Sequence, residues 1–570
     1  MNTSRPSAPD CVETVASWPV AELTPVSTPS EWWRSGVIYQ VYPRSFADAN
    51  GDGIGDLAGI ASKLAYVADL GVDAVWISPF FTSPMRDFGY DVSDYSDVDP
   101  MFGSLDDFRL LLGRAHELGL KILIDLVFSH TSDQHPWFTE SRASRDNAKA
   151  DWYVWADAKP DGTAPNNWLS IFGGVAWQWD TRRNQYFLHN FLTSQPDLNV
   201  QNPAVQDALL DAARFWLELG VDGFRLDVVN FYMHDLELRD NPPVGEMHRD
   251  PAVRSSNPYS MQRHLHDKSQ PENLLFLARL RSLCDEYPGI AMVGEIGDEE
   301  PLVRIAEYTG GGDKLHMGYS FDLLGVRHDA PYVRRVIEKF EAVVTDGWPC
   351  WSVGNHDTVR VRTRWGNGDK GVARAALALI MMMRGTPCVF QGEELGLANV
   401  TMTFADLQDP FGIEFWPDEQ GRDGCRTPMP WDSSVHGGFG TIATTKPWLP
   451  VAPEHIALNA ASQITDSESM LSFARRVLAW RKTQPAIQLG SLRLIDTSNS
   501  AVLGFVRALG AARLVCAVNV SDDAASLDLS DLALSSVPSV MMDAGFGTPL
   551  ALTVDEIRLA PWSAAVARLG

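Results

Sequence analysis

A closed parallel (β/α)8 barrel is the fold class this sequence predicts, and three observations predict it. A helix–glycine–strand unit recurs along the chain. The strand candidates within it are short and apolar on both faces. The polar residues gather where those strands end.

The repeat is local and legible. Leu70-Gly71 precedes Val-Asp-Ala-Val-Trp-Ile-Ser-Pro, Leu118-Gly119 precedes Leu-Lys-Ile-Leu-Ile-Asp-Leu-Val, and Leu219-Gly220 precedes Val-Asp-Gly-Phe-Arg-Leu-Asp. Each Gly stands where a helix needs a left-handed cap. Each following run is β-branched and apolar, as a strand covered on both faces requires. Helices lead in. Ser104 with Asp107 three positions on forms a capping-box pattern for residues 105–118, and Asn202-Pro203 places a cap and a first-turn proline before residues 203–219. Further strand candidates are Val37–Val41, Ala291–Glu295, Pro349–Val353 and Pro387–Gln391, and the weakest, the eighth, falls near Leu315–Phe321. Helix, glycine and buried strand in repetition mean parallel βα units, and a closed barrel puts its site at the strand C-termini.

A chain of 570 residues has room for a barrel of about 250–400 residues and one or two smaller domains. Residues 31–128 and 201–486 are assigned to the barrel. Residues 129–200 follow the third strand, are rich in Trp, Asn, Gly and Asp, and are expected to form an inserted small domain over the barrel mouth. From residue 487 the pattern changes to short strands, at Leu492–Ile495, Val502–Val506 and Leu514–Val520, so 487–570 is expected to be a C-terminal antiparallel β-sandwich. Residues 1–30, rich in Pro, Ser and Thr, have neither a basic start nor an apolar core and are expected to be a flexible leader rather than a secretion signal.

With 47 basic against 73 acidic residues the net charge is −26, which disfavours nucleic acid and anionic membrane as partners, and neither is expected. No apolar run is long enough to span a membrane. The 19 Trp residues suit sugar rings, but core and interface packing accounts for most of them. Cys11, Cys284, Cys350, Cys388, Cys425 and Cys516 form no metal-type pair and are expected to be free thiols in a reducing, cytoplasmic setting. The chain is expected to be a monomer or homodimer.

The strand ends carry the chemistry. The third strand ends Asp125-Leu-Val-Phe-Ser-His130, the fourth runs Gly223-Phe-Arg225-Leu-Asp227, the fifth ends Val293-Gly-Glu295, and Asn355-His356-Asp357 follows the seventh. Carboxylates and histidines therefore converge on one rim, and two carboxyl groups, one ionised and one protonated, are what glycoside cleavage needs. Arg225, two residues before Asp227, shares its side of the strand and is expected to keep it ionised. Glu295 follows Met292-Val293-Gly294, and burial there is expected to raise its pKa.

These segments resemble four signature regions of the α-amylase superfamily, glycoside hydrolase family 13, in order, and Gln195-Pro-Asp197-Leu-Asn199 matches a fifth in the inserted segment. The likeness runs from about Trp32 to the C-terminus. Within the superfamily the chain is most similar to bacterial α-glucosidases acting on short substrates, through Gly223–Asn230, His234–Pro242 and Gly421-Arg-Asp-Gly-Cys-Arg-Thr-Pro-Met-Pro-Trp431. The resemblance implies a retaining exo-α-glucosidase with Asp227 as nucleophile, Glu295 as acid/base and Asp357 as transition-state stabiliser. It implies that His130 and His356 hydrogen-bond the glucose, that Arg225 orients the nucleophile, that Tyr90 stacks on the sugar ring, and that Phe172 is among the substrate-binding residues. It implies that Asp87 pairs with Arg422 to close the pocket, with Arg426 as the second choice.

Three positions depart from the commonest pattern or bear on substrate. Ser129 stands where Asn is commoner, which puts one hydrogen bond in question. Val228 follows the nucleophile; similar enzymes with Val there tend toward α-1,6 links, and those with Ala or Thr toward α-1,4. Phe321-Asp-Leu-Leu-Gly-Val-Arg327 lacks the charged loop of sucrose isomerases. Maltose, sucrose and isomaltose-type substrates all fit. A transglucosylase or a sucrose-specific hydrolase would use the same glucosyl-enzyme. A non-catalytic amylase-like ectodomain of a transporter heavy chain is a remote alternative, against which stand the three carboxylates.

One more motif lies off the rim. In Asp48-Ala-Asn50-Gly-Asp52-Gly-Ile54-Gly-Asp56 oxygen side chains alternate and Gly allows sharp turns, as in an EF-hand-like loop. The expected ligands are Asp48, Asn50, Asp52, Ile54 and Asp56, and the expected ion is a structural Ca2+, or Mg2+ in a small cavity. The resemblance also implies the ion. No organic cofactor is expected.

Overall fold

The computed structural model describes residues 31–245, 257–541 and 547–569. The leader expected over residues 1–30, with Cys11, lies outside them. Eight parallel strands close into a barrel: β1 Ile38–Val41, β2 Ala74–Ile77, β3 Lys121–Leu126, β4 Gly223–Leu226, β5 Ala291–Ile296, β6 Met317–Ser320, β7 Pro349–Trp351 and β8 Thr386–Phe390. Each pairs with its neighbours in chain order, and β8 returns to β1 through Ile38 opposite Cys388. All eight strand candidates are present, including the weakest, β6. Its sequence hides it because Gly318 sits mid-strand; a Cβ there would stand 2.7 Å from Ile305 Cγ1, so close packing of the helix Pro301–Thr309 demands the glycine.

The lead-in helices form as their caps predict. Ser104 and Asp107 make a reciprocal capping box on Leu105–Glu117, and the Asn202 side chain accepts from Ala204 N at the start of Pro203–Leu219. Gly71 and Gly220 close their helices at φ 96° and 102°, a left-handed conformation costly to residues with a Cβ. The barrel interior is filled by Ile38, Trp76, Leu123, Val293, Met317 and Cys388, so it is a packed core rather than a pore. Trp76, Trp168, Trp216 and Trp351 are among the largest fully buried side chains, in keeping with the packing role expected for most tryptophans.

Between β3 and β4 the chain makes a small antiparallel sheet, Trp155–Ala156, Gln185–Leu188 and Trp177–Asp180, and bridges back to the barrel through His130 and Asp197. After the barrel, five antiparallel strands (Ser491–Leu494, Val502–Leu509, Ala512–Asn519, Ser539–Val540 and Ala564–Arg568) share a core with a three-stranded sheet. Cys284, Cys350, Cys388, Cys425 and Cys516 are free and buried. Among the described residues no helix is long and apolar enough to cross a membrane.

Candidate active site

Arg225 is the hub of the rim. Its Nη1 donates to Asp125 Oδ1 and Asp227 Oδ1, each at 2.7 Å, and its Nη2 lies 2.5 Å from Glu295 Oε2. The register explains the convergence: Asp125 on β3 faces Arg225 on β4, which faces Val293 on β5, two residues before Glu295. The guanidinium lies over the Trp76 ring, 4.9 Å from its centroid, and Trp76 Nε1 donates to Asp125 Oδ2.

The electrostatics correct one expectation. Arg225 does not by itself hold Asp227 ionised, because three carboxylates share the one guanidinium. Burial pushes Asp227 well above the usual carboxylate range against Arg225, and Glu295 and Asp125 add to it. Burial likewise raises Glu295, the direction expected, with Asp357 adding and Arg225 opposing. A hydrogen bond to Asp227 opposes the rise at Glu295 and couples the two carboxyls. Between them in the chain is Val228, a β-branched residue at φ 34° and ψ 50°, a strained conformation; its N–H donates to Glu295 Oε2 at 3.1 Å.

The second group of charges lies across the rim. Arg422 Nη2 donates to Asp87 Oδ1 at 2.8 Å, the pairing the resemblance implied. The guanidinium stands 5.3 Å from the Phe172 ring centroid, and its Nη1 reaches Asp357 Oδ1 at 3.3 Å. Arg426, the second choice, is placed differently: it donates to Asp357 Oδ1 at 2.7 Å and to the His356 carbonyl at 2.6 Å, and so braces the loop after β7. Burial opposes charge on Asp357, but Arg422, Arg426 and Arg225 outweigh it and hold the carboxyl well below its usual range. Asp87 is pushed up by burial, with Arg422 opposing.

Both histidines are buried and neutral, His130 lowered to about 4 and His356 to about 3, chiefly by burial. Tyr90 stacks on His356 with centroids 5.5 Å apart, and its hydroxyl meets His356 Nε2 at 2.6 Å. Gln40 Nε2 meets the other His356 nitrogen at 2.7 Å. At His130 the question raised by Ser129 has an answer: the Ser129 hydroxyl lies 2.9 Å from His130 Nδ1, so Ser supplies a hydrogen bond there.

All ten predicted rim residues, Asp87, Tyr90, His130, Phe172, Arg225, Asp227, Glu295, His356, Asp357 and Arg422, thus belong to one contact network. Sequence reasoning missed three of its members. Gln195, within a recognised motif, donates to Asp87 Oδ2 and contacts His130. Gln40 carries no motif. Asp409 binds Arg422 through both oxygens but reads in sequence only as a cap before Pro410.

The loop of Asp48 to Asp56 stands apart. Asp48 accepts from Gly51 N and Gly53 N at 2.5 and 2.9 Å, Asn50 Nδ2 donates to Asp52 Oδ2 at 3.1 Å, and Asp56 caps the helix Leu57–Leu70 through Gly59 N. Ile54 N is held by Asp52 Oδ1. The side-chain donors are all oxygens, which suits a hard cation in kind. Among the described residues no group of three or more His, Cys, Asp or Glu side chains converges as a metal site.

Comparison with known proteins agrees with this geometry. The chain is 54% identical over 545 residues, 95% of this chain and 97% of the other, to a probable alpha-glucosidase of Rhizobium meliloti (strain 1021). It is 36% identical, over 94% of this chain and 99% of the relative, to an oligo-1,6-glucosidase of Parageobacillus thermoglucosidasius. Among solved structures it superposes with a TM-score of 0.91 on the alpha-glucosyl transfer enzyme XgtA, 52% identical, covering 95% of this chain and 99% of that one. The model of the alpha amylase catalytic domain matches residues 40–490, and the chain is a glycoside hydrolase belonging to the alpha-amylase family.

Proposed function

We propose that this chain is a retaining, exo-acting α-glucosidase that releases terminal non-reducing α-D-glucosyl residues from short substrates of the maltose, sucrose or isomaltose type. One observation carries the reading: Asp227 and Glu295 meet at one guanidinium on neighbouring strands, beside a firmly ionised Asp357 and a pocket wall made by Asp87 and Arg422.

In the first step an Asp227 oxygen attacks the anomeric carbon while Glu295 gives its proton to the glycosidic oxygen. The C–O bond breaks, the aglycone leaves as an alcohol, and glucose is held as an ester of Asp227. Water then attacks the same carbon, Glu295 takes its proton, and the ester bond breaks. The first step needs a proton on Glu295, and burial, which raises its pKa, favours it there. Asp357 hydrogen-bonds sugar hydroxyls and offsets positive charge in the transition state. Neutral His130 and His356 hold Ser129, Gln195, Tyr90 and Gln40 around the sugar without adding charge. Val228, pinned beside the nucleophile, and the 36% identical oligo-1,6-glucosidase favour α-1,6 links within this range.

The test is trapping. Glu295→Gln given 4-nitrophenyl α-D-glucoside should form the ester, because that leaving group needs little protonation, and then stall for want of a base. Intact-mass analysis should find one added hexose residue, and peptide mapping should place it on Asp227. A label on Asp357 would exchange the two roles.

A second reading, transfer of the glucosyl unit to a sugar or alcohol acceptor, is favoured by the 52% identical transfer enzyme. Both share the ester; product analysis at high acceptor concentration separates them.

For the loop of Asp48 to Asp56 we propose a structural Ca2+ or Mg2+ held by Asp48, Asn50, Asp52, Ile54 and Asp56, neutralising carboxylates and tying the turn. Chelation should lower the melting temperature by several degrees, on the order of what losing a tight structural ligand costs, and leave the rate at low temperature nearly unchanged. An unchanged melting temperature removes the ion from the account. We place the enzyme in a reducing, cytoplasmic compartment, in keeping with the five buried free thiols among the described residues.

A further inference from the structure

We propose that Asp409 is a positioning residue: it fixes the Arg422 guanidinium in the pose that closes the sugar pocket. The inference rests on the α-glucosidase reading and deepens it.

Asp409 is fully buried, and its carboxylate has an unusually full set of donors. Oδ2 accepts from Arg422 N at 2.6 Å and from Nε at 3.0 Å, and Oδ1 accepts from Nη2 at 2.8 Å and from Phe411 N at 3.1 Å. The Nε and Nη2 pair is the bidentate arrangement that fixes a guanidinium plane as well as its position. With that edge held, the donors left over point one way: Nη2 to Asp87 and Nη1 to Asp357. Without Asp409, this long side chain would have to be ordered by those two carboxylates and the face of Phe172 alone.

The carboxylate is itself aimed. Asp423 Oδ2 accepts from both Gln408 N and Asp409 N, at 2.6 and 2.9 Å, and so fixes the turn that presents Asp409. Gly421, at φ 66°, leaves room for it; a Cβ there would stand 2.5 Å from Asp409 Oδ2. The same carboxylate caps Pro410–Glu414 and so places Phe411, whose ring centroid is 5.9 Å from that of Phe172. Phe172 in turn lies against the Arg422 guanidinium. One buried charge therefore sets both the polar wall and its aromatic neighbour.

The test is a double-mutant cycle on kcat/KM for a disaccharide the wild type cleaves, with Asp409→Ala, Arg422→Ala and the pair. Asp409→Ala should lose about 10–100-fold, the size expected when a positioned group is misplaced by about an ångström. The double variant should be no worse than Arg422→Ala alone within about threefold, because Asp409 acts through Arg422. Losses that multiply would overturn the proposal, since a merely structural role of Asp409 would add its cost to any background. If Asp409→Ala does not fold, Asp409→Asn, of the same size, is read in the same cycle. A wild type inactive on maltose, sucrose, isomaltose and 4-nitrophenyl α-D-glucoside would sink the α-glucosidase reading. An active wild type with multiplying losses would sink only this one.

Discussion

Two clusters of arginine and carboxylate face each other across the barrel mouth, built from the same groups in different proportion. Around Arg225 one guanidinium serves Asp125, Asp227 and Glu295. Around Arg422 and Arg426 two guanidiniums serve Asp87, Asp357 and Asp409. Burial raises carboxylates in both, and the extra guanidinium of the second sets Asp357 and Asp409 apart. In the first cluster Asp125 is pushed up to about 6, and burial raises Asp227 and Glu295 as well. In the second, Asp357 and Asp409 are held below the usual range, while Asp87 is pushed up by burial against Arg422. Chemistry that moves a proton belongs at the first, and binding of neutral hydroxyl groups by permanent charge belongs at the second.

The largest expected effect breaks the first cluster. Asp227→Asn keeps the size of the side chain and one acceptor for Arg225 but cannot form the ester. Turnover of 4-nitrophenyl α-D-glucoside should fall by more than about a thousandfold, with the melting temperature little changed. Activity above a few per cent of wild type, in protein whose mass excludes deamidation back to Asp, would move the nucleophile elsewhere.

A smaller effect breaks the second cluster. Arg422→Ala removes the partner of Asp87 and one of two arginines on Asp357, yet leaves Asp227 and Glu295 in place. A loss of about 10–100-fold in kcat/KM for disaccharides is expected, with the trapped ester of Glu295→Gln still forming in the double variant, only more slowly. The wall also limits length: wild type should release glucose from maltose-sized substrates and scarcely lower the iodine staining of amylose. Rapid loss of staining with little free glucose would mean that the Asp87–Arg422 pair does not close the pocket.

The first cluster was far more legible in the sequence than the second. Its members lie at the ends of strands β3, β4 and β5, where the barrel rule says chemistry collects, and adjacent register turns sequence spacing into contact. The second draws Asp87, Asp357, Asp409, Arg422 and Arg426 from four loops. Loop residues carry no periodicity, so Asp87 and Arg422 were found only through resemblance, and Asp409 was not found. Strand β6 is faint because Met317-Gly-Tyr-Ser320 contains a packing glycine and no β-branched residue. The ionisation of Asp227 was misjudged for a related reason: Arg225 two residues away is visible in sequence, whereas Asp125 and Glu295 competing for it come from neighbouring strands.

The smallest effect sharpens the comparison from outside both clusters. Glu393, after β8, is a buried carboxyl whose Oε2 accepts only the Phe390 N–H and whose Oε1 meets no donor among the described residues. Arg360 and Arg364 lie near enough to favour its charge without an ion pair. Burial wins over the Phe390 hydrogen bond and both arginines and pushes it up to about 8. Its folded pKa is thus raised above the unfolded value of about 4.3. The folded protein keeps a proton that the unfolded chain has already lost, so this group contributes stability that is full below about pH 4 and declines as pH climbs to about 8. Glu393→Gln carries no such proton and should lack that slope. Measured against wild type between pH 5 and 8, the variant should gain about 2–5 °C in relative melting temperature as pH rises, whatever its offset at pH 5. A difference between the two proteins that stays constant over this range would mean that Glu393 is ionised throughout. Burial alone, without an excess of carboxylates over guanidiniums, would then be too weak to hold a proton at the barrel mouth.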